Sequence, residues 1–444
     1  MGANILKDIF FDDHQHWERF VKKYRNRIRP NVLKEVEKFR RCGDPKNGFK
    51  VFVCDVCQDV KIVAYRCKGR FCTSCFAGET EEWSRLLVED VFQVNHRHVI
   101  FTIDEGLRII FQKHRELLKP LMDEAAGLIL GYFKKHCKVT AGVIVGLHTF
   151  GARIQFNPHV HMLVTMGGMK RNGEWKVYDY IPFEMLRKQW QTVVLKLIRK
   201  HLSASEKQEA QPLLQKAYKN NGEGFYIYAP KFRGSAKMLL GYIGRYMRRP
   251  AIALHRIESY DGTHVTFRYH DKEDNRDKQE TLSVEDFIAR LIVHIPEEQF
   301  KMIRHYGVYS RRTKKLSRAL VSAWQLEVRR WIIKAKRTLQ RRTWGQRIEA
   351  QTGINPMQCR VCGDQYVYKG EVCLDDSELT IKKAYGDKTR AFMERMIAHL
   401  TGIEGPKKEC GRQKVQEKEP TYRQVRLFEL PEERRYPMEG GARV

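Results

Sequence analysis

The chain has 444 residues, which is too long for one ordinary hydrophobic core, so its length predicts two or three domains. With 82 Lys and Arg against 53 Asp and Glu, its formal net charge is +29, which favours a polyanionic partner such as nucleic acid. A ribosomal or merely basic protein would share this charge. The sequence has no apolar signal peptide and no run of about 18 apolar residues, which predicts a soluble, cytoplasmic protein rather than a membrane protein.

The first 41 residues predict a basic helical segment. Apolar residues recur there at helical spacing, and Pro30 interrupts the pattern near the middle. Asp12 or Asp13 would cap the start of a helix. This segment leads directly into a stretch of different character, in which cysteines cluster.

Six cysteines between residues 42 and 75 predict a metal-binding module. In a reducing compartment, clustered cysteines indicate metal ligation rather than disulfide bonds. Two pairs, Cys54-x-x-Cys57 and Cys72-x-x-Cys75, are separated by 14 residues. Each pair can hold zinc from a tight turn, and four thiolates close a tetrahedral structural site. We therefore expect these four cysteines to bind one Zn²⁺.

Cys42 and Cys67 remain after this assignment, and their spacing leaves several interpretations open. One interpretation makes them additional zinc ligands, and another places them in a second site with a histidine such as His14 or His16. A third leaves them as buried thiols without a metal. The module would serve folding alone, or it would also recognise DNA, because basic side chains surround its cysteines: Lys61, Arg66, Lys68 and Arg70.

The middle of the chain predicts an α+β fold. Three segments rich in β-branched and apolar residues predict strands, at residues 96–104, 139–151 and 159–167. A long helical region from Gly106 to about Cys137 separates the first strand from the second. The order strand, helix, strand, strand is typical of a ferredoxin-like or RRM-like antiparallel sheet with helices on one face. Further on, the sequence predicts a basic amphipathic helix, a short strand and a hairpin around Asp261-Gly262, at residues 183–202, 225–230 and 252–271.

The third of these strands carries the strongest candidate for chemistry. The stretch NPHVHMLV at residues 157–164 places His159 and His161 two apart, so a strand directs both imidazoles to one face. His148 lies on the preceding strand, and an antiparallel hairpin would bring it opposite His159. Gln155 is the alternative third ligand. Three ligands with open positions are the arrangement of a catalytic divalent metal, which would polarise a phosphoryl oxygen.

A candidate nucleophile follows in the stretch GYIGRYMRRP at residues 241–250. A helix is predicted up to Pro250, and it would place Tyr242 and Tyr246 one above the other. A tyrosine suits covalent phosphoryl transfer, because the phosphotyrosine ester preserves the bond energy for rejoining. The alternative is structural, an apolar stripe that continues Leu239 and Ile243. A phenol of pKa about 10 is mostly protonated at pH 7. Nearby guanidinium groups would lower the free-energy cost of ionising it: Arg245, Arg248 and Arg249. The same three groups would also bind DNA.

The C-terminal part of the chain predicts further DNA contacts and a second metal site. Residues 311–342 form a long helical pattern with twelve Lys and Arg and one acidic residue, Glu327. This excess favours binding to phosphates over a solvated helix surface, beginning with Arg311, Arg312, Lys314 and Lys315. Cys359-x-x-Cys362 is half a zinc ribbon, and Cys373 is a candidate further ligand of a second Zn²⁺. Beyond residue 404 the charged sequence predicts a mobile tail.

Several stretches, in one order, resemble the HUH-type two-tyrosine rolling-circle transposases of the insertion sequence 91 family. They run from about residue 40 to 312 and read CDVC…CKGRFCTSC, HRHVIFTID, GLHTFGARIQFNPHVHMLV, GYIGRYMRRPAIA, VTFRYHD and IRHYGVYSRR. In this resemblance His159-Val160-His161 is the HUH motif, and Tyr242 and Tyr246 are the two tyrosines. The resemblance implies an enzyme that nicks single-stranded DNA with Mg²⁺ or Mn²⁺. One tyrosine would hold the 5′-phosphate and leave a free 3′-OH, and the second would serve strand transfer.

The resemblance also implies partners and a domain order. The partners are single-stranded DNA at transposon ends and target DNA, and the protein would be associated with the nucleoid while active. Because no G-x-x-x-x-G-K-[ST] motif occurs, single strands would come from a host helicase or from replication proteins. We expect an N-terminal helical and zinc-binding domain, an HUH endonuclease domain, a basic region with a zinc-ribbon-like part and a mobile tail, at residues 1–90, 91–310, 311–403 and 404–444.

Three other functions account for part of the pattern. A plasmid-type replication initiator or relaxase would use the same HUH chemistry, although the N-terminal cysteines favour the transposase. A zinc-containing DNA-binding regulator would need neither Tyr242 nor Tyr246. A DDE-type transposase would need three carboxylates around its metal, and it would leave His159 and His161 without a role.

Overall fold

A computed structural model of the chain describes residues 4–69, 71–92, 94–178, 180–230, 250–271, 274–310 and 342–402. The chain divides into two units. Unit 1 comprises Met1–Arg19, Lys34–Cys75 and Arg342–Val444, and unit 2 comprises Phe20–Leu33 and Phe76–Arg341. Unit 1 therefore contains segments from both ends of the sequence, whereas the sequence pattern predicts domains that follow one another along the chain.

Within these residues the helices are α1 (Ile5–Phe11), α2 (His16–Tyr24), α3 (Pro30–Arg41), α4 (Thr73–Asp90), α5 (Arg108–Lys113), α6 (Leu118–Tyr132), α7 (Phe183–His201), α8 (Ala204–Asn220), α9 (Val284–Ile292), α10 (Trp344–Thr352) and α11 (Asp387–Thr401). The strands are β1 (Gly48–Cys54), β2 (Val60–Ala64), β3 (His96–Phe101), β4 (Thr140–Phe150), β5 (Phe156–Met169), β6 (Trp175–Val177), β7 (Ile227–Tyr228), β8 (Ile257–Tyr260), β9 (His264–Asp271), β10 (Arg276–Ser283), β11 (Ile303–Gly307), β12 (Tyr366–Asp375) and β13 (Glu378–Ala384). None of the helices that the structure describes is long and apolar enough to cross a membrane.

The central sheet of unit 2 has the strand order β11-β4-β5-β3-β7, and β6 pairs with one end of β5. Alternation along each strand gives the sheet two different faces. One face carries fully buried apolar side chains, which form a single core with helices α5, α6, α7 and α8: Val99, Phe101, Val145, Leu147, Val160 and Met162. The combination of helices with antiparallel sheets confirms the predicted α+β class.

The opposite face of this sheet is divided along its strands. Near Leu163 it is covered by a smaller apolar cluster: Leu87, Val91, Phe92, Val94, Trp175, Val308 and Tyr309. His96 belongs to this end, where its Nδ1 lies 2.7 Å from the Val94 carbonyl oxygen and its Nε2 lies 2.6 Å from the Tyr309 hydroxyl. Burial lowers the pKa of His96 to about 4, so this ring is neutral at pH 7. The other end of the face, around His161, carries polar side chains.

A second sheet of unit 2 has the order β10-β9-β8 and contains the predicted hairpin. Its first turn lies at Asp261-Gly262, where the Asp261 carboxylate accepts backbone hydrogen bonds from the next residues. Glu280 on β10 binds both Arg153 and Arg290 at distances of 2.8 to 2.9 Å. Because Arg153 lies in the turn between β4 and β5, this ion-pair network holds that turn against the second sheet.

Unit 1 is built on a sheet of the order β13-β12-β1-β2. Strand β1, near the start of the chain, pairs with β12 from Gly48 opposite Cys373 to Cys54 opposite Tyr366. The apolar face of this sheet packs on α11 through Phe49, Val51, Val372, Met393 and Met396. Segments from the two ends of the sequence therefore share one hydrophobic core, a pairing that no local pattern could predict.

Several predicted elements are confirmed, with changed bounds. The three predicted strands are β3, β4 and β5. The helical region from Gly106 is interrupted at His114, whose ψ of 74° does not continue a helix, so α5 and α6 are separate. Pro30 begins α3 rather than only ending a helix, in keeping with the preference of proline for the first helical position. The predicted helices around Tyr242 and from residue 311, and the tail, lie outside the described residues.

Gly307 tests the packing of β11 on β4, the strand that carries His148. Its φ is +60°, and a Cβ atom there would overlap the carbonyl oxygen of Ala141. We expect Gly307→Ala to destabilise the protein by about 3 kcal/mol, since backbone strain and the clash add. Thermal unfolding followed by circular dichroism measures the change.

Gly131→Ala is the matched control for this substitution. Gly131 lies within α6, with open space where a Cβ would stand, and alanine favours a helix over glycine by about 1 kcal/mol. This variant should melt at or slightly above the wild-type temperature. A Gly307→Ala protein that melts like Gly131→Ala would contradict the described backbone of β11.

Candidate functional site

Three histidines meet on the β4–β5 hairpin of unit 2. In the register of this hairpin His148 lies opposite His159, and His161 follows two residues later on β5. One nitrogen from each of the three rings lies within 4.8 Å of the others. His148 and His161 are buried, with 3% and 2% of their surface exposed, while His159 is half-buried. The hairpin that the sequence predicted therefore brings these three side chains together.

Two of the three rings are oriented through their Nδ1 atoms. His159 Nδ1 lies 2.8 Å from the carbonyl oxygen of Asn157, and because a carbonyl only accepts, this nitrogen carries the proton. His161 Nδ1 lies 3.0 Å from Nε2 of His98, and the two rings are nearly parallel, with an interplanar angle of 15°. Contacts of this kind fix the tautomer of an imidazole and leave its other nitrogen, Nε2, for a metal.

His98 is a site residue that the sequence pattern did not single out. It lies on β3, which pairs with β5, and it is 7% exposed. Burial lowers the pKa of His98 to about 4, so its neutral ring can accept a hydrogen bond from His161 at pH 7. The available signal was the stretch HRHVIFTID, in which period two places His96 and His98 on one face. Only the tertiary pairing shows that this face continues that of His161.

Gln155, the alternative third ligand, closes the turn between β4 and β5. Its side-chain oxygen accepts a hydrogen bond from the backbone N–H of Arg153 at 3.0 Å. Its amide group also folds over Gly151 and leaves no space for a Cβ there. The side chain that stands beside the His159 and His161 pair is therefore that of His148.

Eight cysteines of unit 1 form two clusters. Cluster A consists of Cys42, Cys67, Cys72 and Cys75, and cluster B consists of Cys54, Cys57, Cys359 and Cys362. Sulfur atoms in cluster A lie 3.4 to 3.7 Å apart, and those in cluster B approach to 3.4 Å. A disulfide bond would be about 2 Å long, so these are separate thiols. Four sulfurs at about 2.3 Å from one tetrahedral zinc ion would be about 3.8 Å apart, close to the observed spacing.

This grouping corrects the expected site of Cys54, Cys57, Cys72 and Cys75. Strands β1 and β2 form a hairpin that carries Cys54 and Cys57 at its tip, while cluster A lies beyond its open end. Since β1 has seven residues, the two ends of the hairpin are about 20 Å apart, too far for one metal ion. The pairing of β1 with β12 instead brings Cys359 and Cys362 to the tip.

Other candidate ligands lie apart from these clusters. Cys373, the expected partner of Cys359 and Cys362, has its Sγ 3.5 Å from the hydroxyl of Tyr65. Its strand register places it opposite Gly48, at the far end of β1 from the hairpin tip, which explains why it is not part of cluster B. The histidines that were considered with Cys42 and Cys67 group elsewhere in the described chain, with one carboxylate: Asp12, His14 and His16.

The predicted DNA-binding residues are only partly described. Lys61 is engaged within unit 1, because its Nζ donates to the Pro356 carbonyl and lies 5.1 Å from the centre of the Tyr366 ring. Burial lowers the pKa of Lys61 to about 8. Lys68 is exposed. The remaining predicted site residues lie outside the described part of the chain: Arg70, Tyr242, Arg245, Tyr246, Arg248, Arg249, Arg311, Arg312, Lys314 and Lys315.

Comparisons with known proteins match the histidine hairpin and the N-terminal cysteine module. Residues 142–317, which include the histidine hairpin, match a family model described as "Putative transposase". Residues 13–103, which include cluster A, match the model "Transposase zinc-binding domain". No solved structure matches the chain.

Two relatives extend these matches over most of the chain. The "Transposase for insertion sequence element IS801" of Pseudomonas savastanoi pv. phaseolicola is 27% identical over 387 residues, which cover 83% of this chain and 90% of the relative. The "Putative transposase y4qJ" of Sinorhizobium fredii is 26% identical over 292 residues, which cover 62% of this chain and 73% of the relative. Since one family model covers the cysteine module, another covers the histidine hairpin, and a transposase aligns across both, the chain belongs to the insertion sequence 91 family of transposases.

Proposed function

We propose that this transposase nicks and rejoins single-stranded DNA at the ends of its element by tyrosine attack assisted by a divalent metal. The observation that carries the proposal is the meeting of His148, His159 and His161, with one nitrogen of each ring within 4.8 Å of the others. Three imidazoles on rigid neighbouring strands are the ligand set of a metal site with open positions. The family membership and the resemblance to HUH enzymes support the same reaction.

The donor set agrees with a divalent metal, and it favours one of the two ions implied by the resemblance. His159 and His161 use Nδ1 for Asn157 and His98, so Nε2 of each would be the ligand atom. When bound, the metal would act as a Lewis acid on a phosphoryl oxygen and orient the scissile bond. Mg²⁺ prefers oxygen ligands, so three nitrogen donors suit Mn²⁺ better.

Tyr242 and Tyr246 are the proposed nucleophiles, on the basis of the sequence pattern. The phenolic oxygen of one forms a bond to phosphorus as the bond from phosphorus to the 3′ oxygen breaks. The 3′ oxygen takes up a proton and leaves as a free hydroxyl, and the 5′-phosphate stays on the tyrosine. A 3′-OH can later reverse this exchange, because the ester retains the bond energy. The second tyrosine would receive the strand at the other end or at the target.

Ionisation of the attacking phenol is the step that needs help from neighbouring charge. At pH 7 the deprotonation of a phenol of pKa about 10 costs roughly 4 kcal/mol. Arg245, Arg248 and Arg249 are next to the two tyrosines in sequence, and their positive charges would offset part of this cost. The same guanidinium groups would bind the DNA phosphates.

Clusters A and B are the proposed sites of structural Zn²⁺. Each offers four thiols at a spacing close to that of a tetrahedral zinc site. Cluster B would connect the turn after β1 with the turn before β12, so its metal would fasten together two distant parts of the sequence.

The single-stranded DNA at transposon ends and target would be supplied by a host helicase or replication proteins at the nucleoid.

Metal analysis of the purified protein tests the cysteine grouping. We expect two Zn²⁺ per chain, one for each cluster, and one after Cys359→Ser with Cys362→Ser, because cluster B then lacks two thiolates. Cys373→Ser is the matched control and should keep both ions. Loss of an ion from Cys373→Ser, or two ions retained without Cys359 and Cys362, would contradict the grouping.

His161→Ala tests the histidine centre. Incubation with single-stranded oligonucleotides of the element ends and Mn²⁺ should yield covalent protein–DNA adducts, and His161→Ala should lower their yield by more than about 100-fold because a metal ligand is lost. His264→Ala, at an exposed histidine on β9, should react like the wild type. Affinity for DNA should be unchanged in both variants. An equal loss of DNA binding in His161→Ala would indicate a folding role instead.

Substitution of the two phenols tests the covalent step. Tyr242→Phe with Tyr246→Phe should leave DNA binding and the melting temperature unchanged and should remove all adducts, since no nucleophile remains. The single variants show which tyrosine attacks first. If the double variant still supports transposition in cells, the protein acts as a DNA-binding regulator and the nuclease proposal fails.

A further inference from the structure

Two exposed tyrosines stand side by side at the edge of the central sheet of unit 2. Tyr226 and Tyr228 are 51% and 46% exposed, while Ile227 between them is buried at 2%. Their ring centroids are 6.3 Å apart, and the rings are inclined by 26°. The chain thus presents two adjacent aromatic faces to solvent next to a fully buried anchor, and neither ring is needed to fill the core.

The backbone beneath these rings is firmly held. Ile227 and Tyr228 form β7, which pairs with β3, and the N–H of Thr102 continues the ladder by donating to the carbonyl oxygen of Tyr226 at 3.1 Å. On the other side, the guanidinium group of Arg97 donates to the carbonyl oxygen of Ala229 at 2.7 Å. The two rings are therefore positioned by the sheet rather than by a free loop.

The strand register places these rings on the same face as the histidine centre. Tyr228 is opposite Ile100 on β3, and Ile100 is opposite His161 on β5. Directly opposite residues of antiparallel strands point to the same face, so Tyr228 and His161 belong to one row across three strands. Two strand spacings separate them, which is about 10 Å. A nucleic-acid strand bound at the histidines would need to extend only a short way to reach the tyrosines.

Positive charge accompanies the two rings. The guanidinium carbon of Arg187 lies 4.8 Å from the centre of the Tyr226 ring. In the sequence Lys231 and Arg233 follow directly after this strand, in a chain with a net charge of +29. Aromatic faces combined with cations are the features by which proteins bind single-stranded nucleic acid, since every base offers a face for stacking and every phosphate a negative charge.

We propose that Tyr226 and Tyr228, which we call the tyrosine platform, bind bases of the single-stranded DNA next to the scissile phosphate, with Arg187 at the backbone. The inference rests on the proposed function, because it takes the histidine centre as the place of reaction. A duplex does not suit the platform, since its bases are already paired and stacked on one another. The platform would therefore select unpaired DNA and fix its path across the sheet.

Binding of a fluorescein-labelled oligothymidylate of about 15 nucleotides, measured by fluorescence anisotropy, tests the platform. Tyr226→Ala with Tyr228→Ala is expected to weaken binding by at least about 30-fold, because two bases lose the rings on which they stack. Tyr228→Phe keeps the ring and should bind like the wild type. Tyr218→Ala is the matched control, as Tyr218 is 63% exposed on α8, and it should leave affinity unchanged. Equal affinity of the double alanine variant and Tyr218→Ala would overturn the proposal.

Two further readouts separate stacking from charge and from damage to the fold. The slope of log affinity against log salt should stay the same in the double alanine variant, whereas Arg187→Ala should reduce it by about one phosphate contact. A 2-aminopurine placed within the oligonucleotide should be quenched on the wild type and brighter on the double alanine variant. Identical fluorescence on both proteins would show that the rings do not stack on bases.

Failure of the platform and failure of the proposed function have different signatures. If covalent adducts form but the double alanine variant binds single strands like the wild type, the platform is wrong and the nuclease stands. If the double alanine variant loses affinity but no adduct forms with any end sequence, the platform stands and the nicking reaction is wrong.

Discussion

The antiparallel pairing of β4 with β5 is the interaction on which the candidate site depends. It sets His148 opposite His159, and β5 receives His98 from its other neighbour, β3. A shift of this register by one residue would turn His159 and His161 towards the helices. The register is secured by the residues that alternate with these histidines, because Val160 and Met162 are fully buried, and each contributes about 1.5–3 kcal/mol through its burial. The hydrophobic core thus determines where the imidazoles stand.

A long-range pairing, between β1 and β12, organises the cysteines. It brings Cys359 and Cys362 to the tip of the β1–β2 hairpin, where they complete cluster B. Cluster A lies beyond the open end of the same hairpin. Metal ligation at both ends would stabilise a small sheet whose core is limited to a few buried apolar residues. The C-terminal cysteine pair is therefore part of the N-terminal module in space, not a ribbon of its own. This arrangement makes the zinc-binding module depend on residues from both ends of the sequence.

Local patterns predicted much of the site but not its long-range contacts. Period two placed His159 and His161 on one face, and the short distance along the chain to His148 made their hairpin predictable. The Cys-x-x-Cys pairs were recognised for the same reason, since each is a single turn. The role of His98 and the partners of Cys54 could not be predicted from the sequence, because strand pairing between distant segments is decided by burial across the whole core. Spacing along the chain therefore grouped Cys54 with Cys72. In the structure Cys54 lies at the tip of the β1–β2 hairpin and Cys72 lies beyond its open end, so the length of the seven-residue strand β1 separates them.

Mass spectrometry of the covalent product identifies the residue that attacks the DNA. A protein–DNA adduct formed with Mn²⁺ would be digested with nuclease and trypsin, and the modified peptide identified. Because Arg245 lies between the two tyrosines, trypsin separates Tyr242 from Tyr246 and assigns the linkage to one of them. We expect a phosphodiester-linked nucleotide on the phenol of Tyr242 or Tyr246, which disappears when His161 is replaced. A linkage to any other residue, or no linkage from active protein, would contradict it.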